Sequence, residues 1–219
     1  QGFVLVCGPT GSGKTTTLHS VLGYLNTPDT KIWTAEDPVE ITQRGLRQVQ
    51  VNPKAGLTFA VAMRAFLRCD PDIIMVGEMR DKETVATAIE ASLTGHLVLA
   101  TLHTNSAPES IVRLLDMGMD PFNFADALLG VLAQRLARRL CTRCRKGHVA
   151  TGAELEALLD EYALELMAID SWKKDPQAAR EAQLREWIGA FGNDKGKITL
   201  YAPVGCDVCS GTGYRGRVG

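Results

Sequence analysis

The sequence predicts an α/β domain built on a largely parallel sheet, followed by a smaller cysteine-bearing module. Short, fully apolar runs alternate with helix-length amphipathic stretches through the first two-thirds of the chain, and paired cysteines occur only beyond position 140. A run that is apolar on both faces fits a strand covered on both sides, as in a sheet joined by crossover helices. A length of 219 residues allows one sizeable core with a small appended module.

Phe3-Val4-Leu5-Val6-Cys7 is the first apolar run, and a helical stretch from Lys14 to Leu25 follows it. Ile32-Trp33-Thr34-Ala35 reads as a second strand, and Gln48-Val49-Gln50-Val51 alternates as an edge strand does. A helix is expected from Thr58 to Leu67 with Thr58 as N-cap. Ile73-Ile74-Met75-Val76 is another buried strand, Asp81 opens a helix to about Leu93, and Leu97-Val98-Leu99-Ala100 is a further strand. Ser106, with Pro108 and Glu109 in the first turn, starts a helix. One more helix is expected from Phe122 to about Leu136.

Composition changes near Arg135. Arg135, Arg138, Arg139, Arg143, Arg145 and Lys146 stand with no acid among them. They read as a solvated helix end, with a docking surface for anionic lipid or an acidic protein face as the sharper alternative. From Gly152 to Phe191, two amphipathic helices separated by Pro176 are rich in acids: Glu154, Glu156, Asp160, Glu161 and Glu165.

A net charge of −1 gives no blanket electrostatic pull, and no nucleic-acid partner is expected. No segment reaches the ~20 apolar residues of a membrane span; the stretch from Phe122 to Ala137 is broken by Asp126, Gln134 and Arg135. The apolar opening is too short for a signal peptide and lacks a basic flank, so secretion is not expected. Under reducing conditions paired thiols argue for a metal before a disulfide. The chain opens almost on its first strand and stops at Gly219 without an ending signal, so both ends read as cut.

Gly8-Pro9-Thr10-Gly11-Ser12-Gly13-Lys14-Thr15 matches G-x-x-x-x-G-K-S/T between a strand and a helix. Glycines let the backbone fold so that successive N–H groups converge on phosphate oxygens, and the helix dipole adds to the attraction. Residues Gly8 to Lys14, with Thr15 and Thr16, are the candidate nucleotide ligands. Lys14 is expected on the β- and γ-phosphates and Thr15 on Mg²⁺. The strand from Ile73 leads into Gly77-Glu78-Met79-Arg80-Asp81, where Glu78 is the candidate to orient and deprotonate the attacking water. Gly77 replaces the Asp common at this point, so Mg²⁺ is expected to be held partly through water.

Three further segments narrow the reading: Thr34-Ala35-Glu36-Asp37-Pro38-Val39-Glu40, then Arg64 to Asp72, then Thr94 to Thr104 with His96 and His103. With the phosphate loop and four cysteines, they closely resemble the secretion ATPases that drive type II secretion and type IV pilus assembly. The resemblance covers almost the whole chain except about 150–202. It implies a RecA-like P-loop NTPase fold and ATP hydrolysis that powers assembly of a pseudopilus or pilus. It also implies roles for individual residues. Glu36 and Asp37 resemble the family's acidic box, which supports Mg²⁺ and the water network. Arg64 and Arg68, one turn apart on one helix face, are similar to arginines that approach phosphates at a subunit boundary. His96 and His103 resemble its histidine box near the γ-phosphate. Either histidine could instead satisfy polar groups of the core, and the arginines could be surface ion-pair partners.

The resemblance further implies a homo-hexamer in the cytoplasm, peripheral to the inner membrane and acting on an inner-membrane platform protein. It implies a domain before Gln1 that packs over the nucleotide, and a continuation beyond Arg217. Cys7 and Cys69 replace the family's common Thr and Gln and are expected as small buried side chains.

Cys141-Thr142-Arg143-Cys144 and Cys206-Asp207-Val208-Cys209 have the spacing of tetrahedral Zn²⁺ knuckles. The separation between the pairs far exceeds that of common zinc ribbons. Residues 1–140 are therefore expected as the ATPase domain and 141–219 as a tetracysteine zinc module with a helical insertion at about 150–202. In the family, this module marks assembly and secretion ATPases, whereas retraction ATPases lack it. Two other classes share part of this pattern. A nucleotide kinase with a zinc-pinned lid needs different loop spacing and a second substrate pocket. A GTP-binding switch needs Asn-Lys-x-Asp, which Asn193-Asp194-Lys195 does not supply.

Overall fold

Apolar strands with both faces covered organise the first part of the chain. The computed structural model describes residues 1–219, the side chain of Glu165 excepted. Two compact units emerge, residues 1–137 with Gly219, and residues 138–218. In chain order the first unit holds β1 (Gly2–Cys7), α1 (Lys14–Leu25), β2 (Ile32–Glu36), β3 (Arg47–Gln50), α2 (Phe59–Leu67), β4 (Ile73–Val76) and α3 (Lys82–Leu93). It continues with β5 (Leu97–Leu102), α4 (Ala107–Asp116), α5 (Pro121–Ala127) and β6 (Leu128–Ala133). The six strands form one sheet in the order β3-β2-β4-β5-β1-β6, and every adjacent pair is parallel.

Strand periodicity divides the core in two. Phe3, Leu5, Ile74, Val76, Val98 and Ala100 pack with α2, α3 and the helices after β5, whereas Val6, Ile73, Met75 and Leu99 meet Leu18 and Leu22 of α1. Successive side chains thus feed opposite apolar layers, which is why these strands carry no polar alternation. β3 lies at the sheet edge, where Gln48 and Val49 are half-buried and Arg47 and Gln50 exposed. The N-caps read from sequence are formed: the side chains of Thr58, Asp81 and Ser106 accept from the amides of Val61, Thr84 and Glu109.

The helix expected from Phe122 to Leu136 is not formed as such. Only Pro121–Ala127 is helical, capped by Asp120, and Leu128–Ala133 becomes strand β6. The leucine spacing suits a helix locally. Without β6, however, one edge of β1 would keep its amides and carbonyls unpaired beside the phosphate loop. Pairing of Val4–Cys7 with Gly130–Ala133 satisfies that edge and overrides the local preference.

The second unit contains β7 (Ala137–Leu140), which leads in from the first, then β8 (Lys146–Val149), α6 (Gly152–Leu166), α7 (Asp170–Lys174), α8 (Pro176–Phe191), β9 (Thr199–Ala202) and β10 (Tyr214–Val218). β7 pairs with β10, and β8 pairs antiparallel with β9. The basic stretch is therefore a strand and a cysteine turn rather than a helix end. Two of its arginines lie over aromatic rings, Arg138 at 4.2 Å from the Tyr214 centroid and Arg145 at 4.5 Å from that of Tyr201.

Pro176 starts α8, where its missing N–H costs nothing. Leu159, Ala163 and Trp172 supply buried apolar contacts, Tyr162 meets Trp187 edge to face at 5.3 Å, and Arg180 binds Glu156 and Asp160 at 3.0 and 2.6 Å. Glu165, among the acids noted in the sequence, has a side chain outside the described residues.

Candidate functional site

In a parallel sheet all strands end on one edge, and loops leaving that edge build the ligand crevice. Glu36 ends β2, Glu78 follows β4, His103 follows β5, the phosphate loop follows β1 and Gln134 follows β6. Strand order brings these five positions along the edge in that sequence.

Gly8, Gly11 and Gly13 take positive φ values of 146°, 77° and 87°, which give the loop its fold. The Lys14 ammonium donates to the carbonyls of Gly8 at 2.8 Å and Pro9 at 3.1 Å. Burial lowers its pKa, and Glu78 and Cys7 offset this only in part. Thr15 is half-buried and Thr16 exposed at the start of α1, whose first turn has no acid to oppose an incoming anion. Ser12 is buried, and its hydroxyl has no hydrogen-bond partner among the described residues.

The Glu78 carboxylate bridges two cations or potential cations. One oxygen lies 2.5 Å from the Arg80 guanidinium and the other 3.1 Å from His103 Nε2. Burial pushes its pKa up, but the Arg80 hydrogen bond and the charges of His103, Arg80 and Lys14 outweigh burial and hold it below the ordinary value. Such a carboxylate stays ionised. It is better suited to orienting a water than to keeping its proton. The Gly77 amide donates to the Ala35 carbonyl at 2.7 Å, and a Cβ at Gly77 would lie 3.1 Å from that oxygen and 3.3 Å from Glu36 Cα. The close approach of β4 to β2 therefore opposes the side chain common at this position.

Glu36 is buried at 3% exposure and accepts from the Thr34 hydroxyl at 2.6 Å and the Gln48 amide at 3.0 Å, with His19 Nε2 at 3.1 Å. His19 rises from α1, five residues after Lys14, and is 2% exposed with no partner for Nδ1 among the described residues. Asp37 is exposed and acts on Arg80, whose pKa is raised first by its hydrogen bond to Glu78.

Not every expected residue comes to this edge. His96 precedes β5, and its carbonyl accepts from the Gly2 amide at the start of β1. It therefore lies at the other edge, about 20 Å along six-residue strands from the loop. Its Nδ1 faces the Ala91 carbonyl at 2.9 Å. Arg64 is ion-paired with Glu83 of α3, and Arg68 is exposed at the end of α2, where the chain turns toward the start of β4. Cys7 is buried as expected, but Cys69 is exposed, because it lies beyond the end of α2. Sequence reasoning gave no role to His19, Arg80 or Gln134. Arg80 sits two residues from Glu78, a spacing that could have drawn notice. Gln134 falls in the stretch whose local pattern suits a helix, and His19 belongs to no motif.

The cysteines form a second constellation. Their four sulfurs lie within 4.8 Å of one another, with Cys141–Cys206 at 3.9 Å, Cys144–Cys209 at 3.8 Å and Cys206–Cys209 at 3.7 Å. A tetrahedral Zn²⁺ with Zn–S near 2.3 Å requires sulfur separations of about 3.8 Å, so the donor set and spacing fit. The amides of Cys206 and Gly213 donate to the Cys209 sulfur, each at 3.2 Å. Burial raises the Cys209 pKa, but these amides and the neighbouring thiols outweigh it and bring it to about 6. The four residues could bind a metal ion.

A parallel sheet with a strand–glycine loop–helix at its carboxyl edge, faced by an acid from the next strand but one, defines a P-loop nucleotide-binding domain. The chain belongs to the type II/IV secretion system protein family, whose model matches residues 1–219. It is 50% identical over 220 residues to the type IV pilus assembly ATPase PilB of Pseudomonas aeruginosa, covering 100% of this chain and 33% of that protein. It is 46% identical over 219 residues to the type II secretion system ATPase E of Vibrio cholerae, covering 100% of this chain and 37% of that protein. The chain thus spans about a third of the length of these relatives. A crystal structure of the pilus retraction motor PilT with bound ADP matches with a TM-score of 0.59 at 37% identity, over 76% of this chain and 54% of that one. Among the described residues, no helix is long and apolar enough to cross a membrane.

Proposed function

We propose that this chain is the ATP-hydrolysing part of a motor that powers assembly of a type II secretion pseudopilus or a type IV pilus. One observation carries the reading: strand order sets Glu78, gripped by Arg80 and His103, on the same sheet edge as the phosphate loop that carries Lys14. In this reading residues Gly8–Thr16 cradle the phosphates, Lys14 neutralises their charge and Thr15 holds Mg²⁺, with Glu36 and Asp37 behind it. Bound there, Mg²⁺ would neutralise charge on the phosphate oxygens. Glu78 holds the attacking water in line, and His103 orients Glu78. Arg64, ion-paired with Glu83, and Arg68 are surface arginines that a neighbouring subunit of a homo-hexamer would meet, whereas His96, at the opposite edge, takes no part in the phosphate site. Cys141, Cys144, Cys206 and Cys209 hold structural Zn²⁺, a closed site with no position for a reacting water. The whole protein works in the cytoplasm against an inner-membrane platform protein. The test is a pair of variants: Lys14→Ala loses nucleotide binding, whereas Glu78→Gln binds ATP and fails to turn it over. Normal turnover in Glu78→Gln would refute the assignment.

A further inference from the structure

Gln134 spans the phosphate loop from outside it. Its backbone amide donates to the Cys7 carbonyl at 2.9 Å, just before the loop begins. Its side-chain Nε2 donates to the Ser12 carbonyl at 2.8 Å, near the loop's end. Its Oε1 accepts from the Thr17 hydroxyl at 2.7 Å, in the first turns of α1. The amide orientation follows from chemistry, because a carbonyl can only accept and so Nε2 must face Ser12. These three bonds tie the strand before the loop, the loop itself and the helix after it to the end of β6.

We propose that Gln134 is a positioning residue for phosphate binding, acting through the Ser12–Gly13 peptide. In a planar trans peptide the carbonyl and the following N–H point in opposite directions. Holding the Ser12 carbonyl toward Gln134 therefore turns the Gly13 N–H away from β6, as a phosphate cradle requires. Two glycines make room for this arrangement: a Cβ at Gly8 would lie 2.3 Å from the Gln134 carbonyl oxygen, and one at Gly13 would lie 2.8 Å from Gln134 Nε2. Both positions belong to the glycine signature of the loop, so the signature serves contact with this side chain as well as with phosphate. Thr17 is the second anchor, because its hydroxyl fixes the far side of the Gln134 amide.

The inference rests on the nucleotide-binding reading, and its test separates the two. Binding of a fluorescent ADP analogue is measured on the complete protein carrying Gln134→Met, Gln134→Glu or Thr17→Val. Methionine keeps the volume and loses both side-chain bonds. Glutamate keeps the shape but sets a carboxylate oxygen against the Ser12 carbonyl. Affinity is expected to fall about tenfold in Gln134→Met and further in Gln134→Glu. Thr17→Val should lower it less, and should add little on the Gln134→Met background. Apo melting temperatures should change far less than the stabilisation produced by ADP. A residue that merely fills space would give equal effects in the two isosteres and additive losses with Thr17→Val; either result overturns the proposal. Wild-type affinity in both Gln134 variants overturns it alone. Failure of the unsubstituted protein to bind ADP would overturn the nucleotide reading and this inference with it.

Discussion

Replacing Glu78 by Gln keeps the side-chain volume and removes one negative charge from the centre of the site. Arg80 loses an ion-pair partner, but its side chain is 62% exposed, so the pair contributes about 1 kcal/mol or less to stability. Melting should therefore shift by only a few degrees. Nucleotide binding should survive, because the loop amides and Lys14 remain. Turnover should not. A misoriented water and a lost carboxylate together cost about 10²–10⁴ in rate, or about 3–5 kcal/mol on the barrier. The assay is steady-state phosphate release beside equilibrium binding of a fluorescent ATP analogue. Equal losses of binding and turnover, or a rate within about threefold of wild type, would refute the argument that Glu78 acts on the water. The sign of its pKa shift adds a pH expectation. With its pKa lowered, Glu78 stays ionised as pH falls through the ordinary 4.5, so loss of this group's function belongs below that value.

Three other outcomes follow from the same geometry. Metal analysis should find one Zn²⁺ per chain, and chelation should destabilise residues 138–218 while leaving ADP binding by the loop intact; a metal-free protein with a folded second unit would refute the zinc assignment. His19→Leu removes a donor from the buried Glu36 carboxylate and should destabilise the protein by about 1–3 kcal/mol in urea unfolding, with His19→Gln, which can still donate, closer to wild type. At Thr151, Glu154 closes a capping box whose backbone and side-chain bonds, with His148, lower its pKa to about 2 from an ordinary 4.5. A lowered carboxylate pKa stabilises above the unfolded value and is lost as pH falls through the folded one. Hydrogen-exchange protection at the start of α6 should therefore decline between pH 4.5 and about 2, and Glu154→Gln should remove that dependence.

The strands covered on both faces were legible because burial leaves a composition mark: Ile73–Val76 has no polar residue to offer solvent. The phosphate loop was legible because its backbone geometry restricts residue type at fixed spacings, and the cysteine pairs because a metal restricts donor chemistry. Helix starts at Thr58, Asp81 and Ser106 were equally local, each a side chain reaching its own first turn. Such features depend on neighbours in the chain, so residue types and spacings are enough to specify them.

Other features depend on partners distant in the chain and emerge once the layers are packed. Leu128–Ala133 carries a helix-compatible pattern, yet it is a strand because β1 has a second edge to satisfy. That switch also delivered Gln134 to a loop more than a hundred residues earlier. His19 and Glu36 gained their mutual contact from the path of α1 over the sheet, which no spacing encodes. His96 and His103 looked equivalent on either side of one strand, but a six-residue strand sends its two ends to opposite edges of the sheet. Local chemistry is written in residue types, whereas the pairing of strand edges and the crossing of layers are set by which distant groups would otherwise stay unsatisfied.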